Sequence, residues 1–423
     1  MQRILYGGDV IQVIGIIAEY NPFHHGHRYQ IEELRKQYPD AAIVTVMSGS
    51  FTQRGAPCIL DKWTRACHAV AGGADLVLEL PFVFACRSAQ DFAHGGISLL
   101  SRLDIVSHLC FGTEAEELSP LIDVAQRIDV TSVQRRLHIY MDEGLSYAGA
   151  LTRALTTDTL LSEEFLRAPN NILAIEYLRA LHVLAPQIVP IAIRRKTAQH
   201  ADMELNTGIT SASSIRHALT VSPPPWAALN ASLTPSVLDD LRAAHTRGLP
   251  QENALLALLR YVLLVTDSAT LTEVYGIAEG IENRVMQNST AQDYRDFLRN
   301  AATKRYPQSR IARLLVHLLL HLTKVQAKDF DMNGVSYIRP LAFNTRGRGL
   351  LRAMKARGRL PIITRTAELL SSEERGQSQS AFSPLQRMLA FDTRATELRL
   401  MTCPMPMDSK LRTDFIMSPQ FLP

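Results

Sequence analysis

Between Val13 and Arg28 the chain reads VIGIIAEYNPFHHGHR: an apolar run, a turn with Asn21 and Pro22, then His24, His25, Gly26 and His27. A glycine beside histidines at the mouth of a strand-to-helix turn suits a polyphosphate. The glycine lets backbone amides approach an anion and the imidazoles donate to it. Such a cradle needs no covalent nucleophile, because positioning and electrostatics carry phosphoryl chemistry. Further polar groups follow. Ser211, Ser213 and Ser214 open a helix that carries Arg216, which offers a helix amino end and a guanidinium to phosphate oxygens. Arg194, Arg195 and Lys196 crowd the end of the apolar run Ile188 to Ile193, where three cations repel unless an anion or solvent screens them. Asn170 and Asn171 precede an amphipathic helix; one suffices as a cap, which leaves the other for a ligand. Lys62 and Arg65 share a helical face, either to neutralise phosphate or as a solvated basic surface.

The elements that position these residues alternate. Strands are expected at Val13 to Ile17, Ala42 to Met47, Ala74 to Leu80, Ile105 to Phe111 and Ile188 to Ile193, with helices over Tyr29 to Tyr38, Lys62 to Ala71 and Ser88 to Leu100 between them. This order predicts βαβ units and an α/β fold with a parallel, Rossmann-like sheet, its site at the carboxyl ends of the strands. Those ends carry His24 and His27, Ser48 to Arg54, Glu79, and Gly112 to Glu114. Gly112 has a positional reason to be small, since a base or ribose fits against its backbone. The prolines at 223 to 225 read as a stiff boundary, followed by a mainly helical stretch. Near the C-terminus, Tyr337 to Phe343, Gly347 to Arg357 and Leu360 to Thr364 read as strand, helix, strand, with Pro340 confining the first to an edge or shortening it. The expected organisation is an extension over 1–12, a catalytic domain over 13–221, a helical domain over 226–330 and a small basic α/β and helical region over 331–423.

With 423 residues, 46% of them hydrophobic and 20% charged, the chain is long enough for two or three domains with a sizeable core. Five scattered cysteines without a C-x-x-C pair argue against a disulfide framework or structural zinc. No apolar run of membrane-spanning length and no leader pattern is present, so a cytoplasmic protein without a membrane partner is expected.

Several segments occur in one order: EYNPFHHGH, MSGSFTQRG, DKW, GADLVLELP, FGTE, PNNILA and SASSIR. The H-x-G-H spacing matches the signature of nucleotidyltransferases, and the whole set closely resembles the bacterial tRNA(Met) cytidine acetate ligase family, over roughly Val13 to Thr366. The resemblance implies a nucleotidyltransferase-like domain that uses ATP, with Mg2+ bridging phosphate oxygens, to activate acetate as acetyl-AMP and acetylate the wobble cytidine of elongator tRNA(Met). It implies that His24, His27 and Arg216 stabilise the α-phosphate and the departing pyrophosphate. It further implies ATP contacts from Ile17, Ala18, Glu19, Tyr20, Asn21, Pro22, Phe23, His24, His25, Gly26, His27, Arg28, Tyr29 and Gln30. Gly112, Asn170, Asn171, Arg194, Arg195, Ser213 and Ser214 complete that set. Ala174 stands where the family pattern has glycine. Metal ligands, the acetate pocket and the oligomeric state are left open.

The net charge of +4 is weak, but residues 294 to 360 hold fifteen Lys or Arg against three acids, a net of +12. An excess of this size suits a phosphate backbone, and Arg346, Arg348, Arg352, Lys355, Arg357 and Arg359 are its tRNA-binding candidates. Two other functions stay open: adenylyl transfer to a small phosphorylated metabolite, and a non-catalytic, nucleotide-responsive RNA-binding protein.

Overall fold

The computed structural model of this protein describes residues 4–6, 9–156, 162–195, 210–371, 374, 382–404 and 413–423; Lys196, most of the stretch from Ser371 to Ser383 and part of the tail after Cys403 lie outside them. A short antiparallel pair, Ile4–Tyr6 and Asp9–Ile11, precedes the main sheet. Then β1 (Val13–Ala18), α1 (His25–Gln37), β2 (Ala42–Ser48), α2 (Lys62–Ala71), β3 (Leu76–Leu80), α3 (Ala89–Arg102), β4 (His108–Thr113), α4 (Pro169–Leu184) and β5 (Val189–Arg194) follow the expected alternation.

These five strands lie in the order β5-β4-β1-β2-β3, all parallel. The chain builds outward from β1 in one direction and then in the other, so the crevice of this doubly wound sheet opens between the carboxyl ends of β1 and β4. Period-two alternation assigns the two faces. Ile14 and Ile16 pack with Ile31 of α1 and Trp63 of α2, whereas Val13 and Ile17 pack with Phe92 of α3 and Leu178 of α4. All seven residues of β2 are buried, as a central parallel strand covered on both faces requires.

α1 begins four residues earlier than expected. His24 is its N-cap: the His24 side chain accepts from the Gly26 amide and the His27 side chain accepts from the His24 amide. This is the reciprocal arrangement of a capping box, made by imidazoles instead of a hydroxyl and a carboxylate.

Segments past 226 and past 331 pack against the sheet of the first 195 residues. Leu229, Val237 and Leu241 pack in one cluster with Ile14 and Ile31, while Leu255, Ile311 and Leu315 join the cluster of Val13 and Val44 on the opposite face. After α5 (Ala212–Ala218) and α6 (Gln308–Leu320), β6 (Pro340–Phe343) pairs antiparallel with β3, and β7 (Gln420–Phe421), following α7 (Thr345–Arg357) and α8 (Pro384–Met401), pairs with β6. The region past 331 therefore extends the first sheet. Pro340 shortens its strand and sits where the register shifts opposite Leu78, having no N–H to donate. The strand expected over Leu360 to Thr364 is reduced to one bridge, Ile338 to Ile362.

A buried ionic cluster holds this returning segment. Lys62 Nζ lies 2.6 Å from Glu79 Oε1 and 2.5 Å from Asp414 Oδ1, and Arg339 Nη1 lies 3.0 Å from Glu79 Oε2 while Nη2 bonds Asp414 and Thr366. Lys62 is thus neither a solvated cation nor a phosphate ligand. Arg65 is also buried and donates to the carbonyls of Glu19, Ser48, Gly49 and Leu60, which ties together the carboxyl ends of β1 and β2.

Candidate active site

A cavity of about 760 Å³ opens at the switch point. Ile17, Ala18, Glu19, Tyr20 and Asn21 line it from β1 and its following turn, Gly26, His27, Tyr29 and Gln30 from α1, and Gly112 from β4. Asn170 precedes the body of α4, Arg194 and Arg195 end β5, and Ser213 and Arg216 come from α5. Residues more than a hundred positions apart are collected because the carboxyl ends of β1, β4 and β5 and the first turns of α1, α4 and α5 meet there. Pro22, Phe23, His24, His25, Arg28, Asn171 and Ser214 are not in its wall.

Their absence has physical causes. Phe23 is fully buried. The Arg28 side chain points to solvent in an i,i+4 pair with Glu32. The Asn171 side-chain oxygen accepts from the amides of Glu114 and Ala115 and the hydroxyl of Thr113, so this asparagine organises the loop after β4. Asn170 is the one left facing the cavity, where it accepts from Arg195 Nη1 at 3.0 Å. Ser211 caps α5 by accepting from the Ser214 amide, Ser214 is buried beneath it, and Ser213 accepts from Arg216 Nη2 at 3.2 Å.

The histidines divide their work. The amides of His25, Gly26 and His27 already donate to Ser232 O, His24 Nδ1 and His24 O, so the expected amide cradle is closed and the imidazoles must supply the donors. Because both Nδ1 atoms accept backbone N–H bonds, each ring carries its proton on Nε2. The rings stack at 3.8 Å between centroids. His24 is 2% exposed, whereas His27 is half-buried and borders the cavity. Burial pushes the His24 imidazole down to about 3, with Arg195 as the next cause, and burial and His24 hold His27 well below its ordinary value. Both rings are neutral donors at pH 7.

A depressed imidazole fixes the sign of a pH effect. Between the ordinary value of 6.5 and the lowered folded value, the unfolded chain binds protons that the folded chain does not, so this contribution to stability is complete above pH 6.5 and is lost as pH falls toward 3. The melting temperature should therefore drop below pH 6.5, less steeply in His27→Gln than in the parent; equal slopes in a calorimetric pH series would contradict this account.

The electrostatics favour an anion. Among the described residues Arg54, Arg167, Arg194, Arg195 and Arg216 line the cavity against one carboxylate, Glu19. Burial works against the charge of Arg195 and of Arg216, and among the described residues neither is ion-paired with a carboxylate: Arg195 bonds Asn170, and Arg216 bonds Asn21 O and Ser213. Two half-enclosed guanidiniums in this state are ready for phosphate. Over Gly112 the structure places the Arg195 stem, whose Cγ lies 3.1 Å from where a Cβ would stand, so the glycine makes room first for this arginine.

The sequence placed Thr52, Gln53 and Arg54 at the end of the second strand without a ligand role, and it missed Phe92 of α3 and Leu173 and Tyr177 of α4. The MSGSFTQRG segment was the available signal for the first three. Among the described residues no cluster of three His, Cys, Asp or Glu is placed to hold a metal ion, and no helix is long and apolar enough to cross a membrane.

Comparison with known proteins agrees with this geometry. A family model described as HIGH Nucleotidyl Transferase matches residues 11–414. The tRNA(Met) cytidine acetate ligase of Syntrophomonas wolfei is 34% identical over 423 residues, spanning 96% of this chain and 99% of that protein. The enzyme of the same name from Caldanaerobacter subterraneus is 37% identical over 372 residues, spanning 86% and 91%. Thermotoga maritima TmcAL in its apo crystal form shares 28% identity with a TM-score of 0.87 over 97% of this chain and all of that one; its form bound with alpha-thio ATP gives 0.85.

Proposed function

This chain belongs to the HIGH nucleotidyl transferase family, in which its relatives include the tRNA(Met) cytidine acetate ligases, and from that membership we propose that it is an ATP-dependent tRNA-modifying ligase. It activates acetate as acetyl-AMP and transfers the acetyl group to the wobble cytidine of elongator tRNA(Met), giving N4-acetylcytidine. The observation that carries this reading is the cation-lined cavity at the β1/β4 switch point with His27 Nε2, Arg195 and Arg216 facing inward.

In the first step an acetate oxygen attacks the α-phosphorus and the bond to pyrophosphate breaks. His27 donates from Nε2 as a neutral group, and Arg195 and Arg216 meet the charge that collects on the phosphate oxygens. His24 acts through His27: it supplies the helix cap and the stacked ring that hold the second imidazole in one tautomer. Mg2+ fits as an ion carried on the nucleotide, because among the described residues Glu19 is the one carboxylate in the wall; it would supply charge neutralisation to the phosphates.

Incubation with ATP and acetate, with and without bulk tRNA, followed by assay of pyrophosphate and nucleoside analysis, tests the reading. Acetate-dependent acetyl-AMP and tRNA-dependent N4-acetylcytidine are expected. Turnover on a phosphorylated metabolite without RNA, or ATP binding without pyrophosphate release, would favour the two other functions named above.

The six C-terminal cations sit elsewhere. Arg346 donates to Ala41 O, and Arg357 and Arg359 reach Asp104, residues that precede β2 and β4. α7 thus crosses the amino edge of the sheet, a strand length of roughly 20 Å from the cavity. Arg348, Arg352 and Lys355 are exposed on it. These three are proposed to touch the tRNA backbone remote from the reacting base. Their reversal to glutamate should weaken tRNA binding and lower the salt slope by about one for each phosphate no longer neutralised, with acetyl-AMP formation unchanged. An unchanged affinity and slope in a filter-binding salt titration would remove α7 from the tRNA surface.

A further inference from the structure

Beside the nucleotide cavity lies a second one, of about 560 Å³, with Gln53, Arg54, Ala89 and Ile172 in the walls of both. The two are compartments on either side of the Gln53–Arg54 turn. That turn is fixed at both ends. The Gln53 amide donates to Glu19 Oε1 and the Gln53 side chain to Arg87 O at 2.7 Å. Gly55, at φ +87, lies so close to α6 that a Cβ there would stand 2.7 Å from the Arg313 amide. The loop therefore packs its backbone directly on the helix that carries Arg313.

The second cavity has a cationic wall and an apolar one. On the cationic side most charges are already satisfied. Arg87 is held by Asp331 at 2.6 and 2.9 Å and by Asp91 at 3.0 Å, Arg305 pairs with Glu279 at 2.6 Å, and Arg310 lies over the Tyr306 ring at 3.9 Å. Arg313 is different: among the described residues its guanidinium makes no hydrogen bond and no ion pair. Burial works against its charge. A half-buried guanidinium without a counter-ion, facing a cavity whose neighbouring carboxylates are engaged, is costly unless an anion completes it. The same cavity is also lined by Tyr147, Leu151 and Ile175, a surface for a flat ring.

We propose, resting on the function given above, that this second cavity receives the acceptor nucleotide itself, extruded from its RNA loop, with a flanking phosphate on Arg313 and the base against Tyr147 and Ile175. A single nucleotide suits a cavity of this size, and extrusion is the general way in which enzymes reach one base. The exocyclic amine then faces the adenylate through the mouth shared at Gln53 and Arg54. Its nitrogen forms a bond to the acetyl carbon, the carbon–oxygen bond to AMP breaks with its electron pair going to AMP, and one amine proton is released. The α7 cations, at the other edge of the sheet, hold the body of the RNA and take no part in this step.

The test uses the full chain with alanine, lysine and glutamine at position 313. Arg313→Ala should leave acetate-dependent acetyl-AMP formation and the melting temperature at parental levels. Single-turnover transfer of acetyl from preformed acetyl-AMP to tRNA should fall at least ~10-fold, the scale of one charged hydrogen bond to phosphate, with the decrease appearing in tRNA affinity. Arg313→Lys should recover part of the transfer. If alanine lowers the melting temperature, Arg313→Gln, which keeps the stem, is read in its place. Parental transfer rates in Arg313→Ala, or a parallel fall in acetyl-AMP formation, would overturn the subsite while the ligase function stands. A parent protein that makes no acetyl-AMP overturns the function, and the subsite with it.

Discussion

Replacing His27 by alanine should slow acetyl-AMP formation by at least ~10²-fold, the usual scale for losing one donor to developing charge, without unfolding the protein. His27 borders the cavity, and its Nδ1 is engaged by the His24 amide at 3.3 Å, so the ring presents Nε2–H to a ligand. Arg195 and Arg216 persist in the variant and keep ATP bound, so the loss should fall on kcat more than on KM. His24 gives a contrasting result. It is 2% exposed and acts as cap and stacking partner, so His24→Ala should cost about 1 kcal/mol of stability as well as activity. His24→Asn, which can still cap, should recover the stability. Rapid-quench measurement of acetyl-AMP decides the matter: near-parental rates in His27→Ala would remove this imidazole from the chemistry.

The second large effect is on folding. Arg339→Met should destabilise the protein by about 3–5 kcal/mol, because it strips the partner from carboxylates that have no access to water. Glu79, Asp414 and Asp392 are each 2% exposed or less, and Arg339 itself is 4% exposed. Burial opposes the charge of Arg339, and the Asp414, Glu79 and Asp392 carboxylates more than reverse that and hold it as a cation. Burial and Glu79 push the Asp392 carboxyl up to about 7, and its oxygens accept from Tyr337 at 2.5 Å and from the Phe82 amide at 2.7 Å. Without Arg339 the repulsion between Glu79 and Asp414 falls on Lys62 alone. Denaturant unfolding measures the change; a loss below ~1 kcal/mol would mean that water or rearrangement replaces the arginine, and that the cluster does not latch the returning C-terminal segment to β3.

By itself the sequence determined the alternating strands and helices, the parallel core, the strand-end positions of His27, Gly112 and Arg195, and the place of Arg216 on a serine-capped helix. These follow from local causes: apolar runs of strand length, caps, and the rule that a parallel sheet gathers the segments after its strands into one crevice. It also implied that one asparagine of the tandem pair is not needed as a cap, and the structure puts Asn170 in the cavity wall, bonded to Arg195, while Asn171 organises the loop after β4. Tertiary structure alone decided which polar residues are spent inside the fold. Lys62 and Glu79 have the types and positions of phosphate ligands and metal carriers, but Arg339 and Asp414 return to β3 and pair with them, and periodicity carries no information about a partner more than 250 positions away. The same limit hid the cap made by His24, because imidazoles are not the usual capping groups. It also hid the direction of the basic stretch, whose cations are near one another in sequence yet divide between the cavity side, through Arg313 on α6, and the opposite edge of the sheet, through α7. Charge counts sum over the chain; only the fold assigns each charge a face.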